Sequence, residues 1–160
     1  MLDIFLMRHG EASFNADSDI NRELTVRGQS EVRRAVKGLS EQFGSVDQVW
    51  SSPYLRAKQS AQIAIEELGG RLNIQQRLTP DYNPSKVAEW LYQLDGEASS
   101  VLIASHMPLV GKLVSLMVNA DLLHPVSFGT GMIVRLTAES PFDGCFTARH
   151  IEPLMVDNNQ

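Results

Sequence analysis

Apolar residues in this chain fall into blocks of two kinds. Ile4-Phe5-Leu6-Met7 and Val101-Leu102-Ile103-Ala104 are continuous and only four residues long, which predicts strands buried on both faces near the centre of a sheet. Elsewhere the apolar positions recur every three to four residues, as in Val32, Ala35, Val36, Leu39 and Phe43, or Leu109, Val110, Leu113, Val114 and Met117, which predicts helices with one buried face. The pattern places strands near 2–7, 47–51, 72–78, 100–104, 130–136 and 145–151, and helices near 26–43, 53–68, 85–94 and 108–118. Thr25 can cap the first helix, and Gly69-Gly70 can end the second. Ser52 is the expected N-cap of that second helix, with Pro53 at its first position. Strands alternate with helices over the first three-quarters, which indicates parallel βαβ units, and the last two strands read as an edge hairpin. The expected fold class is α/β: a three-layer sandwich, helices on both faces of a mostly parallel central sheet with an antiparallel edge strand.

Composition narrows the picture. At 160 residues and 43% hydrophobic content the chain can form one sizeable core but has no room for two, so one domain is expected over 1–156 with a polar tail at 157–160. A net charge of −5 and a pI near 5.3, with the basic residues scattered, exclude a nucleic-acid backbone binder. The single cysteine, Cys145, excludes an intrachain disulfide and reads as a small buried residue. The four histidines show no metal-ligand spacing, so neither metal nor other cofactor is expected. The first apolar run contains Asp3 and is too short for a signal segment, and no stretch approaches the length of a membrane span. No membrane contact and a cytoplasmic location are the expectation.

Candidate chemistry lies where the strands end. The first strand runs into Arg8-His9-Gly10, and the fourth into Ser105-His106-Met107-Pro108. Between them, Ser51-Ser52-Pro53-Tyr54-Leu55-Arg56 puts Arg56 about one turn into a helix. In an open α/β sheet the carboxyl ends of parallel strands line one crevice, so Arg8, His9, Arg56 and His106 can converge there. Two guanidiniums on a negative body suit a single phosphoryl group. A neutral imidazole suits nucleophilic attack on phosphorus, with its other nitrogen donating to a backbone carbonyl to fix the tautomer. Spacing does not decide which histidine attacks. Asn15 serves equally as a phosphate contact or as the start of an Asx turn. Glu11 reads as a loop carboxylate, Arg22 and Arg27 as solvated cations, and Trp50 and Trp90 as core residues. His124 and His150 carry no assigned role.

RHG, SSPxxRAxQSA and a late SHxP, in this order, resemble the histidine phosphatase superfamily, whose fold is phosphoglycerate-mutase-like. The resemblance covers nearly the whole chain and includes Leu24-Thr25-Val26-Arg27-Gly28. The short length and the Ser105 to Gly111 stretch are most similar to SixA-type phosphohistidine phosphatases. The resemblance implies that His9 is the nucleophile, that Arg8, Arg56 and His106 contact the phosphoryl group, and that Asn15 does so too. It also implies a covalent phosphohistidine intermediate, with inorganic phosphate as the product.

One departure from the superfamily pattern bears on the substrate. Larger members carry an acid after the third strand to protonate a leaving alcohol; here Pro80 stands at about that place and Asp81 is one residue off. An imidazole leaves readily once protonated, with a pKa of about 6.5, whereas an alkoxide needs a positioned donor. No lid is inserted in this loop either, so a phosphorylated side chain on a folded protein could enter. The expected substrate is a phosphohistidine-bearing phosphotransfer or phosphocarrier protein. The alternative is a small-molecule phosphomonoesterase using Asp81; a phosphohistidine-binding module without turnover is a third reading.

Overall fold

The structure, a computed structural model, describes residues 1–155. The polar tail expected at 157–160 lies outside the described residues. Six strands form one sheet: β1 (Asp3–Arg8), β2 (Gln48–Ser51), β3 (Leu72–Ile74), β4 (Ser100–Ser105), β5 (Ile133–Thr137) and β6 (Thr147–Ile151). Among the described residues four α-helices intervene: α1 (Val26–Phe43), α2 (Leu55–Leu68), α3 (Pro84–Gln93) and α4 (Leu109–Asn119). The strand order is β3-β2-β4-β1-β5-β6. The first four strands are parallel, β5 runs antiparallel to β1, and β6 runs antiparallel to β5 at the edge.

The apolar runs explain the layers. Ile4, Phe5, Leu6 and Met7 are all fully buried, and their two-residue alternation sends Ile4 and Leu6 to one face and Phe5 and Met7 to the other. Phe5 and Met7 pack with Val32, Val36 and Leu39 of α1 and Ala61 and Ala64 of α2. Ile4 and Leu6 pack with Val87 and Leu91 of α3 and Leu109 and Leu113 of α4. From β1 the chain crosses to β2 on one side; from β4, the neighbour of β1, it leaves toward β5 on the other. The carboxyl ends of β1 and β4 thus flank a topological switch point, where open α/β sheets leave a crevice.

Local chemistry sets the boundaries. Thr25 caps α1 as expected, its hydroxyl accepting the Gly28 N–H at 2.9 Å, and Gly69 ends α2 at φ 80°. Ser52 does not cap α2, which begins at Leu55 with Tyr54 as its N-cap; Ser52 instead stays with the sheet, its N–H donating to the Ala104 carbonyl at 3.0 Å. The third strand is shorter than expected because its partner β2 ends at Ser51: after Gln75 donates to the Ser51 carbonyl, residues Gln76–Leu78 close a 3₁₀ turn that buries Leu78. The last two strands start later than expected, at Ile133 and Thr147, after turns through Gly131 (φ 77°) and Gly144 (φ 79°). Cys145 lies in the second of these turns and is exposed, contrary to the buried position expected for it.

Candidate active site

Arg8 is the last residue of β1, and His9 follows it with its N–H on the Ser105 carbonyl of β4 at 3.0 Å. Ser105 likewise ends β4, and His106 follows. Arg56 is the second residue of α2. All four line one open cleft, and three of them are almost wholly buried: His9 is 7% exposed, Arg56 4% and His106 1%. The two imidazole centroids are 5.0 Å apart.

Close packing brings the loop after β1 into place. A Cβ on Gly10 would lie 2.4 Å from the Gly28 carbonyl oxygen, and one on Gly28 would lie 2.0 Å from the Glu11 carbonyl oxygen, so both positions require glycine for contact rather than for an unusual φ. The face of α2 that carries Arg56 also carries Gln59 and Ser60, three and four residues on. Ser60 accepts the Gly10 N–H at 3.1 Å, and Gln59 accepts the Leu24 N–H at 2.8 Å. Glu31 ties the other side, accepting from the Glu11 N–H at 3.0 Å and from Thr130 Oγ1 at 2.7 Å.

The hydrogen bonds define the chemistry of each ring. His9 Nδ1 is 2.7 Å from the Gly10 carbonyl, which can only accept, so Nδ1 carries the proton and Nε2 keeps its lone pair. Arg56 Nε donates to that Nε2 at 3.3 Å. Burial, opposed by the Gly10 hydrogen bond and reinforced by Arg56 and Arg8, lowers the His9 pKa to about 4. Burial and the neighbouring His9, Arg56 and Arg8 lower that of His106 to about 2. Both rings are therefore neutral at pH 7. His106 Nε2 lies 2.8 Å from Ser52 Oγ, while its Nδ1 is buried without a partner among the described residues. Arg8 Nη1 donates to the Phe128 carbonyl at 2.7 Å, and its Nε is likewise buried and unpartnered. Such groups suit an arriving acceptor, since a buried donor without one is costly.

Several cleft residues carry no signal in the sequence pattern. Asp19, the first residue of a short 3₁₀ turn (Asp19–Asn21), ties down Arg56: its carbonyl accepts from Nη1 at 2.7 Å and its Oδ2 from Nη2 at 3.3 Å. Burial would raise its pKa, but Arg56 and Arg22 outweigh that and hold the carboxyl below its ordinary value. Arg22, expected to be solvated, is instead fixed at the cleft, donating to the Ser13 and Ala12 carbonyls at 3.0 and 3.1 Å and lying 4.0 Å from the Phe14 ring centroid. Tyr54 packs edge-on to His106 with centroids 5.0 Å apart. Arg27 is exposed as expected, and Glu11 accepts from Thr25 Oγ1 at 3.0 Å. Asn15 is exposed and does not line the cleft; its N–H donates to Ser13 Oγ at 3.0 Å. Pro80 and Asp81 do line it, and the Asp81 carboxylate has no hydrogen bond or ion pair among the described residues. Trp50 and Trp90 pack edge to face at 5.0 Å, as core residues do. His124 pairs with Asp121 and His150 with Glu152, both outside the cleft. Among the described residues no group of three His, Cys, Asp or Glu side chains could hold a metal ion, and no helix is long and apolar enough to cross a membrane.

Residues 4–80 match the model of the histidine phosphatase superfamily (branch 1). Phosphohistidine phosphatase SixA of Escherichia coli K12 is 36% identical over 152 residues, covering 91% of each chain. The structure of protein histidine phosphatase SixA complexed with tungstate superposes with a TM-score of 0.86 at 32% identity, covering 95% of this chain and 97% of that one. The α-ribazole phosphatase of Shigella flexneri shares the fold at a TM-score of 0.74 and 17% identity, covering 98% of this chain and all of its own. With the cleft at the switch point and these relatives along nearly its whole length, the chain belongs to the histidine phosphatase superfamily.

Proposed function

We propose that this chain is a phosphohistidine phosphatase, acting without a metal on a histidine of a phosphotransfer or phosphocarrier protein. His9 Nε2 attacks phosphorus, the bond from phosphorus to the substrate imidazole breaks, and a phosphorylated His9 forms. The departing imidazole is protonated on its second nitrogen by water, so it leaves neutral. Water then attacks the phosphorylated His9, its oxygen staying with phosphorus and its proton passing to solvent. Inorganic phosphate and neutral His9 result. Charge on the transferring group is met by Arg8 and Arg56, each offering a fork of donors, and by His106. Asn15 belongs to this phosphate set only if its loop moves inward.

The observation that carries the substrate class is the state of the cleft carboxylates. Asp19 is engaged by Arg56 and Arg22, and Glu11 by Thr25, while the Asp81 carboxylate has no partner among the described residues to fix its position. A leaving imidazole needs no such acid. The 36% identity to a phosphohistidine phosphatase supports the same substrate. Because Asp81 does line the cleft, a small-molecule phosphomonoesterase with Asp81 as general acid is the second reading. The deciding experiment measures phosphate release from phosphohistidine-labelled phosphotransfer domains and from a panel of alkyl phosphates, in wild type and Asp81→Asn. Much faster release from phosphohistidine, little changed in Asp81→Asn, is expected. Comparable rates on both substrates, with a large defect on the esters alone, would establish the second reading.

A further inference from the structure

We infer that Ser52 is a positioning residue: its hydroxyl fixes His106 as the Nδ1–H tautomer and so makes that ring a neutral hydrogen-bond donor to the transferring phosphoryl group. The catalytic consequence rests on the phosphatase reading above; the tautomer is a property of the unligated protein and stands apart from it.

Ser52 is fully buried and rigidly held, since its N–H bonds the Ala104 carbonyl at 3.0 Å and its own carbonyl accepts from Ser51 Oγ at 2.8 Å. These contacts lay Ser52 beside the end of β4, two residues before His106. Ser52 Oγ accepts the Tyr54 N–H at 3.2 Å and lies 2.8 Å from His106 Nε2. A serine hydroxyl has one proton to give, and among the described residues Nε2 is the acceptor within reach of this one. If Nε2 carried the proton instead, Ser52 Oγ would accept it, but the buried hydroxyl proton would then have no acceptor and the Nδ1 lone pair would be unpaired as well, which costs more than the alternative. With Nε2 accepting, a neutral ring must carry its proton on Nδ1. That nitrogen is buried and has no partner among the described residues, on a ring that lines the cleft with its centroid 5.0 Å from that of His9. An anion bound between the two rings is the acceptor it lacks. The opposite tautomer would present a lone pair there, and it would repel a phosphoryl oxygen. The strong downward shift of the His106 pKa agrees with a ring that works in its neutral form.

The test is two-bond proton–nitrogen NMR on uniformly ¹⁵N-labelled, unligated protein at pH 7, with the His106 signals identified by their loss in His106→Gln. Wild type should show a protonated Nδ1 and an unprotonated Nε2. In Ser52→Ala the protonated nitrogen should become Nε2, and kcat should fall about tenfold to a hundredfold, the range for removing a group that orients a functional imidazole, with KM changed less. Ser52→Thr, which keeps the hydroxyl, should retain the Nδ1–H tautomer and most of kcat. A wild-type His106 protonated on Nε2 would overturn the inference whether or not any variant folds. An unchanged tautomer in Ser52→Ala, or a switched tautomer with unchanged kcat, would overturn it too. Failure to cleave phosphohistidine while the tautomer behaves as described would count against the substrate assignment alone.

Discussion

Two adjacent parallel strands end side by side, with Arg8 opposite Ser105, and each places a histidine one residue beyond its last pair. The two rings are nevertheless held in opposite ways. His9 is tied through Nδ1 to the carbonyl of its own loop, which leaves the lone pair on Nε2, where it accepts from Arg56 Nε at 3.3 Å. His106 is tied through Nε2 to a hydroxyl reaching across from the end of β2, leaving Nδ1 without a partner among the described residues. The difference teaches that a strand end delivers a side chain to the crevice, while the nitrogen its neighbour engages decides whether the ring offers a lone pair or a proton.

The largest effect that could break this comparison is the loss of one ring at a time. His9→Ala should abolish turnover while the protein stays folded, since the ring belongs to neither apolar cluster; near-normal phosphate release would end the covalent mechanism. His106→Ala should instead leave a slow enzyme, down by about two to three powers of ten, as expected for loss of one preorganised donor. Equal residual rates in the two variants would erase the distinction.

The guanidiniums come next. Arg8→Ala and Arg56→Ala should each lower kcat by about two to three powers of ten. Arg56→Lys should recover only part of that, because an ammonium cannot reproduce the planar fork that now spans His9 and Asp19. Full activity in either Arg56 variant, measured by initial rates, would remove Arg56 from the phosphate site. Activity should also survive chelators; loss in EDTA that Mg²⁺ restores would contradict a site built on guanidiniums.

Acidification should produce a smaller and graded response. Both rings have folded-state pKa values below the ordinary 6.5, so the unfolded chain binds more protons at mildly acidic pH. Their effect on stability is absent above about pH 6.5 and grows as the pH falls toward the folded values, lowering the denaturation midpoint. His9→Gln and His106→Gln should each flatten that slope. Over the same interval His9, the proposed nucleophile, stays neutral, so the enzyme-side profile of kcat/KM should hold level and fall only as the pH nears 4. A midpoint in that profile at 6.5 would show that neither burial nor the arginines tune the ring. The smallest expected effect is on Asp81→Asn with phosphohistidine substrate, far below the factor of about 10² or more that a general acid contributes.

The sheet and its helices were legible because the apolar runs obey a period of two or of three to four, and burial then had little freedom. The Arg8, His9, Arg56 and His106 convergence was legible as well, since three separate strand or helix ends carry it. What escaped was contact between distant segments. Nothing in the sequence pattern around Ser52 distinguishes a helix cap from a hydroxyl aimed at a histidine 54 residues later, and Pro53 reads equally well in either setting. Asp19 and Arg22 lie in a loop whose path is set by hydrogen bonds to Arg56 and to backbone carbonyls, so no period reveals them. The resemblance implies a phosphate contact for Asn15, but the residue is exposed and outside the cleft. Glycine preferences were ambiguous in the same way: Gly10 is required by the approach of Gly28, which sequence alone does not bring near.

The most direct test of the central claim is to quench the wild-type enzyme during turnover of a phosphohistidine-bearing domain and map the phosphate by mass spectrometry and NMR. An acid-labile, alkali-stable phosphoryl group on Nε2 of His9 is the predicted result. Phosphate on His106, phosphate on Nδ1 of His9, or turnover with no phosphoenzyme at all would contradict the assignment of the two rings.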